Sequence, residues 1–404
     1  MMLRRSAGEL VPQLASHQRR LLQLGGIGAL TCVGGLLLAP ARFFQAYLVA
    51  YVLIVSLVLG SLALGMLHQL SGGAWGVVIG RLLGAAARTL PVVTVAFLPI
   101  LAGMRWLYPW TDAALVASDE VLAAKRPYLN VPFFIARAAL CFAVWNVLAY
   151  WLTRWAQDQD RSADPRVARR MQRLSAGGLV AYGLTISFAS FDWMMSLEPH
   201  WFSTMFGVLT MAAQGLMALA FAIVGLAWLA RRAPLDSVVT PGHFHDLGNL
   251  LLAFVMLWAY LAFSQYLIIW SGNLPEEVTW YQSRTQGAWR PVAIALIGLH
   301  VVAPCVVLLS RALKRSPERL AAVAAWMVAL RCVETFWIVA PAFHPEAIAL
   351  HWLDLLLPLA LGLLWLGWFV RLLRQRPLLP LHDPEIAEAI GATAVRAEAQ
   401  EGMS

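Results

Sequence analysis

Apolar residues run in long blocks along almost the whole chain, each close to the ~20 residues that a helix needs to cross a hydrocarbon core of roughly 30 Å. Ten such blocks stand at about 21–38, 43–67, 91–107, 132–153, 174–195, 203–230, 246–270, 291–310, 319–340 and 352–370. None alternates apolar and polar positions as barrel strands do, which leaves helices as the spanning element. The pattern predicts an all-α integral membrane protein with ten transmembrane helices in one polytopic domain over 1–404.

The polar breaks add detail. Residues 73–90 carry Trp75, Arg81 and Arg88 and end just before Pro91. A straight helix from 73 to 107 would measure about 52 Å at 1.5 Å per residue. That exceeds the bilayer core, so 73–90 is expected as an interfacial helix, with Pro91 turning the chain inward. Leu21–Leu38 follows four arginines and precedes Ala39-Pro40-Ala41, which looks like a signal cleavage site. Its length, and the spanning run directly after it, favour a retained first helix over a removed signal.

Composition agrees with the membrane reading. Of 404 residues, 60% are hydrophobic and 13% charged, and the mean hydropathy is +0.68, too little polar surface for a soluble fold. With the amino terminus inside, 22 of the 30 Lys and Arg fall in inner segments and six in outer ones, with Arg137 and Arg331 inside helices. The positive-inside rule then expects the segment 1–20 and the tail 377–404 in the cytoplasm, for a multi-pass protein of a bacterial inner membrane. The net charge of +8 belongs to topology and anionic lipid, and carries no nucleic-acid inference. Cys32, Cys141, Cys305 and Cys332 stand alone, with no C-x-x-C or C-x-x-C-H. This chain is therefore expected to bind neither an iron–sulfur cluster nor covalent haem. The motifs of ATP-driven pumps and conventional hydrolases are missing from the sequence.

Within the blocks, apart from Arg105, Asp246 and Arg319 at their ends, the charged residues and histidines are Arg137, Asp192, His300, Arg331, Glu334 and Asp354, each costly in hydrocarbon unless paired or hydrated. Arg331 and Glu334 are three apart and share a helix face near mid-membrane. They read either as an ion pair that orients packing or as a pair in which Glu334 relays protons. His300 has a similar depth; it is either structural or a carrier that accepts a proton on one nitrogen and donates from the other. At the inner end, His243, His245 and Asp246 form either a proton mouth or a helix cap with headgroup contacts. At the outer end, Asp192, Glu198 and His200 form either the opposite mouth or a tight turn held by Pro199. Asn146 and Gln214 are polar steps between. Trp258, Tyr260 and Gln265 combine apolar wall and polar atoms near one interface, as a quinone pocket would, or simply pack. No metal site is expected. A secondary transporter is a further reading, but Pro304 and Pro358 lack the matching helix breaks in an earlier half that such folds show.

Four segments carry a resemblance: Asp192-Trp193-Met194-Met195-Ser196-Leu197-Glu198-Pro199-His200-Trp201-Phe202-Ser203-Thr204, His245-Asp246-Leu247-Gly248-Asn249, Trp258-Ala259-Tyr260-Leu261-Ala262-Phe263-Ser264-Gln265-Tyr266, and Trp270-Ser271-Gly272-Asn273-Leu274-Pro275-Glu276-Glu277. Together they resemble the F subunit (ActF, quinone-binding subunit 2) of bacterial alternative complex III, within the wider NrfD/PsrC-like family of membrane anchors. The resemblance implies two four-helix bundles, helices 2–5 and 6–9, with a peripheral helix on each side. It also implies a non-catalytic subunit of a quinol:cytochrome c or other quinol:acceptor oxidoreductase, in contact with membrane lipid and beside a homologous membrane subunit that holds the main quinol site. Iron–sulfur and haem c centres would sit on partner subunits, quinone being the only ligand in question for this one. Asn249 stands where the family pattern implies a lysine, so a charge-dependent role of that site does not carry over from the resemblance.

Overall fold

The computed structural model describes residues 7–162, 164–232 and 235–378. Most of the expected tail 377–404 and the first six residues of the segment 1–20 lie outside them. No strand occurs among the described residues. Among the described residues, ten helices are long and apolar enough to span a membrane: α1 Pro12–Leu38, α2 Pro40–Ser71, α3 Ala74–Ala102, α4 Val131–Arg161, α5 Pro165–Leu197, α6 Phe206–Leu229, α7 Pro241–Gly272, α8 Gly287–Leu308, α9 Pro317–Ala342 and α10 Trp352–Leu373. The chain is a multi-pass membrane protein. All ten sequence blocks lie within or closely overlap these helices.

Helix starts are set by local chemistry. Proline opens α2, α5, α7 and α9, where its missing N–H is unneeded and its φ is already helical. Asn130 caps α4 by accepting the Phe133 N–H at 2.9 Å. Asp164 caps α5 by accepting the Arg166 N–H at 2.8 Å. At α10 the Asp354 carboxylate accepts the His351 N–H at 2.8 Å, so this acid serves a helix terminus.

Successive helices reverse direction, which gives a near face at the start of α1 and the end of α10, and a far face opposite. Cross-contacts respect the division: Arg231 pairs with Glu318 at 2.8 Å on the near face, and the Lys125 ammonium donates to the Pro199 carbonyl at 2.5 Å on the far face.

The centre is α2 against α6, whose apolar windows are 83% and 72% buried. They meet at Gly60, where a Cβ would lie 2.0 Å from the Gln214 carbonyl oxygen. Around them stand the first half of α3, α5, α7, α9 and α10, with α4 beyond on α5 and α1 outermost against α10. The resemblance implied a peripheral helix on each side, but α1 and α10 pack on each other, along one flank. The reason is a glycine seam: Cβ atoms at Gly25 and Gly28 would lie 2.8 Å from the Leu364 nitrogen and 2.9 Å from the Ala360 Cβ. Such close backbone approach is a main source of helix adhesion in lipid.

Residues 73–90 contain the helix Ala74–Ala87, after which the backbone breaks at Arg88 and Thr89 before Pro91. Nine residues of this helix are buried, against α2, α6, α7 and α10. Its arginines reach the near-face ends of other helices: Arg81 binds Asp160, and Arg88 donates to the Leu372 carbonyl at 3.1 Å.

Candidate functional site

The site begins with a defect in α8. Pro304 has no N–H to return to the carbonyl of His300, and its ring presses on that carbonyl. The helix widens into a π segment, Ile297–Val302, immediately before it. Such bulges recur at functional sites, and this one carries His300 into the interior, fully buried.

There His300 meets the pair on α9. Its Nδ1 lies 3.2 Å from Glu334 Oε2, the same oxygen that the Arg331 guanidinium holds from one turn earlier. Trp258, from α7, covers the imidazole with ring centroids 4.7 Å apart and planes tilted by 55°. The His300–Glu334 contact is close but not aligned as a hydrogen bond. Both imidazole nitrogens, Arg331 Nε and Trp258 Nε1 have no hydrogen-bond partner among the described residues. With a neutral imidazole the cluster carries one positive and one negative charge, the condition under which such burial is tolerable.

From this cluster the polar groups continue towards the far face. The Ile338 carbonyl, one turn after Glu334, accepts from Arg284 Nη2 at 2.7 Å. Arg284 sits on the short helix Pro275–Thr285 and is 1% exposed. The same nitrogen meets Glu198 Oε2 at 2.5 Å, Nη1 donates to the Trp280 carbonyl at 3.0 Å, and the guanidinium lies over the Trp280 ring at 3.9 Å. Burial pushes this guanidinium below the ordinary arginine range, and Glu198 pulls it back up. Trp201 stacks on Trp280 at 4.7 Å, and Trp337 Nε1 donates to the Arg284 carbonyl at 3.1 Å. Further out, His200 Nε2 stands 2.7 Å from Asp119, whose carboxyl is held below the usual range by the Leu122 N–H and by His200, against a smaller opposing push from desolvation.

The remaining sequence candidates lie elsewhere. Asp192 is separate from Glu198 and His200: both of its oxygens bind Arg137 of α4, at 2.7 and 2.9 Å. Arg137 also donates to the Tyr128 carbonyl at 2.9 Å and lies over the Tyr128 ring at 3.8 Å. At the near face His243 Nδ1 accepts the Thr240 N–H at 3.0 Å and closes the α7 cap. His245 is half-buried and Asp246 exposed. Between His243 and Trp258 the fully buried side chains of α7 are Phe244, Leu247, Leu251 and Val255, an apolar run of about 22 Å at 1.5 Å per residue. The near-face group and the central cluster are thus not joined along the buried side of α7. Gln214 accepts from the Tyr182 hydroxyl at 2.6 Å, and Asn146 donates to Thr94 at 2.9 Å, so both steps have local partners.

Trp258, Tyr260 and Gln265 do not converge. Trp258 covers His300, Tyr260 is 65% exposed on the outside of α7, and buried Gln265 bridges the Ser203 and Tyr281 hydroxyls, each at 3.1 Å. No single ring system reaches all three. A charge does reach Asn249: buried Lys314 crosses Gly248 and donates to Asn249 Oδ1 at 2.6 Å. Arg284 was the functional group that sequence reasoning missed. Its signal was a basic residue on the side that the positive-inside rule depletes, where an unpaired cation needs a reason.

No protein-family model matches this chain, and comparison with curated proteins finds no match.

Proposed function

We propose that this chain is a membrane subunit of a quinol:cytochrome c, or other quinol:acceptor, oxidoreductase, and that it carries a proton relay from mid-membrane to the far face. The observation that carries the reading is the single oxygen of Glu334 shared by Arg331 and His300 inside a buried cluster. Ion pairs that only orient packing satisfy their members, whereas this one leaves both imidazole nitrogens unbonded among the described residues. A proton accepted on His300 Nε2 releases the Nδ1 proton to Glu334 Oε2, the oxygen that the Arg331 guanidinium also holds. The proton then leaves Glu334 for Glu198 through water, with Arg284 staying protonated and positioning Glu198 as the far-face acceptor.

The resemblance to the alternative complex III F subunit supplies the setting. The near face is cytoplasmic, both termini with it, in a bacterial inner membrane. Iron–sulfur and haem c centres sit on partner subunits and a homologous membrane subunit oxidises the quinol. Trp258, Tyr260 and Gln265 do not fit a quinone together, so no step here runs through one.

Glu334→Gln and His300→Phe, each in the complete complex in vesicles, should lower the protons translocated per electron while quinol oxidation and assembly persist. An unchanged ratio removes the relay. Purification in mild detergent without any haem-bearing or iron–sulfur partner overturns the subunit reading and favours a secondary transporter.

A further inference from the structure

A cavity of about 130 Å³ opens at the near face, between α2, the first half of α3 and the ends of α4, α5 and α10. None of the relay residues lines it. Three guanidiniums do: Arg81, Arg88 and Arg376. Arg81 binds Asp160, with Nη1 at 2.9 Å from Oδ2. Arg88 reaches neutral acceptors, the Leu372 carbonyl at 3.1 Å and Gln375 Oε1 at 2.6 Å. Arg376 donates to the Thr153 carbonyl at 3.1 Å. Among the described residues that line or close this cavity, cations therefore outnumber anions. Burial and the charges of Arg88 and Arg81 bring the Arg376 guanidinium down to about 10.

The space itself is kept by glycine. A Cβ at Gly65, Gly80 or Gly84 would meet nothing within 4 Å, although all three lie in helices that alanine would strengthen. The rest of the wall is mainly apolar, with Leu62, Val77 and Leu152 among it. An excess of planar guanidiniums, which match phosphate oxygens two at a time, thus adjoins an apolar wall at one end of a membrane bundle.

We infer that this cavity binds the phosphate group of an anionic phospholipid, with an acyl chain along the Leu62, Val77 and Leu152 wall. Arg88 and Arg376 hold the phosphate, and Arg81 with Asp160 fixes the floor. Lipid binding here is independent of the relay and of the identity of the redox partners.

The test uses the full-length protein as purified, stripped of lipid in detergent. Its thermal unfolding is followed with added phosphatidylglycerol, added phosphatidylcholine or inorganic phosphate, and retained lipid is counted by native mass spectrometry. Phosphatidylglycerol should raise the melting temperature and remain at about one molecule per chain. Arg88→Gln with Arg376→Gln should weaken that retention on the order of a hundredfold, since each lost charge-assisted contact is worth roughly tenfold or more. Gly84→Leu, which fills the cavity without removing a charge, should abolish retention while the lipid-free melting temperature holds; it decides between binding and no binding if the arginine variants do not fold. Equal stabilisation by phosphatidylcholine, equal stabilisation by inorganic phosphate, or undiminished retention in Gly84→Leu overturns the inference.

Discussion

Arg137→Ala will destabilise the protein by about 3–5 kcal/mol, because it strands the buried Asp192 carboxylate without its cation. Arg137 and Asp192 are 8% and 2% exposed, so solvent cannot take over the lost hydrogen bonds. The double replacement Arg137→Met with Asp192→Leu should recover most of the loss, as apolar residues of similar volume commonly do at buried pairs. In the proposed complex, quinol oxidation and the proton ratio should survive in the double variant, since this pair lies outside the proposed relay. Arg284→Ala should cost less, about 1–3 kcal/mol, because the Glu198 side chain is 26% exposed and can turn to water. Denaturant titration in mixed micelles, read by tryptophan fluorescence, orders the three. If Arg137→Ala proves milder than Arg284→Ala, Asp192 has access to water and belongs to a far-face mouth after all.

The second large effect comes from the α2–α6 seam. Gly60→Val will prevent recovery of folded protein, and even Gly60→Ala should exceed the usual cost of overpacking, about 1–3 kcal/mol. The atom in the way is the Gln214 backbone, 2.0 Å from the new Cβ, and a helix axis cannot yield as a side-chain tip does. The two most buried helices would have to separate. Gly177→Ala is the control: nothing lies within 4 Å of its Cβ, and helix propensity favours alanine by about 0.8–1.0 kcal/mol. Size-exclusion profiles of the three variants in one detergent decide it. A normal profile for Gly60→Val would mean that α2 and α6 do not meet there.

The ten helices were legible because twenty apolar residues in a row admit few other structures. The central cluster was partly legible too. Arg331 and Glu334 share a face by spacing alone, and counting along α8 put His300 at their depth, though only packing could turn equal depth into a 3.2 Å contact. Partners distant in sequence were not legible. Arg137 and Asp192 were each visible as isolated charges, yet their union over 55 positions depends on how α4 lies against α5. Asp192, Glu198 and His200 looked like one mouth because they share a turn, but each is drawn to a different element. Residues 73–90 read as an interfacial helix; in the fold its arginines turn towards Asp160 and the end of α10, partners that lie far away in the sequence. Lys314 beside Asn249 follows the same logic, a cation brought from another helix to a position where the local sequence has none.

Redox-triggered infrared difference spectroscopy of the complex, in the carboxyl stretch region, tests the relay at its central atom. Quinol oxidation should produce a protonated-carboxyl band that Glu334→Gln removes, and that His300→Phe delays while Arg137→Met with Asp192→Leu leaves it in place. A difference spectrum that Glu334→Gln does not change would show that this carboxylate never takes up a proton during turnover, and the relay account would be wrong.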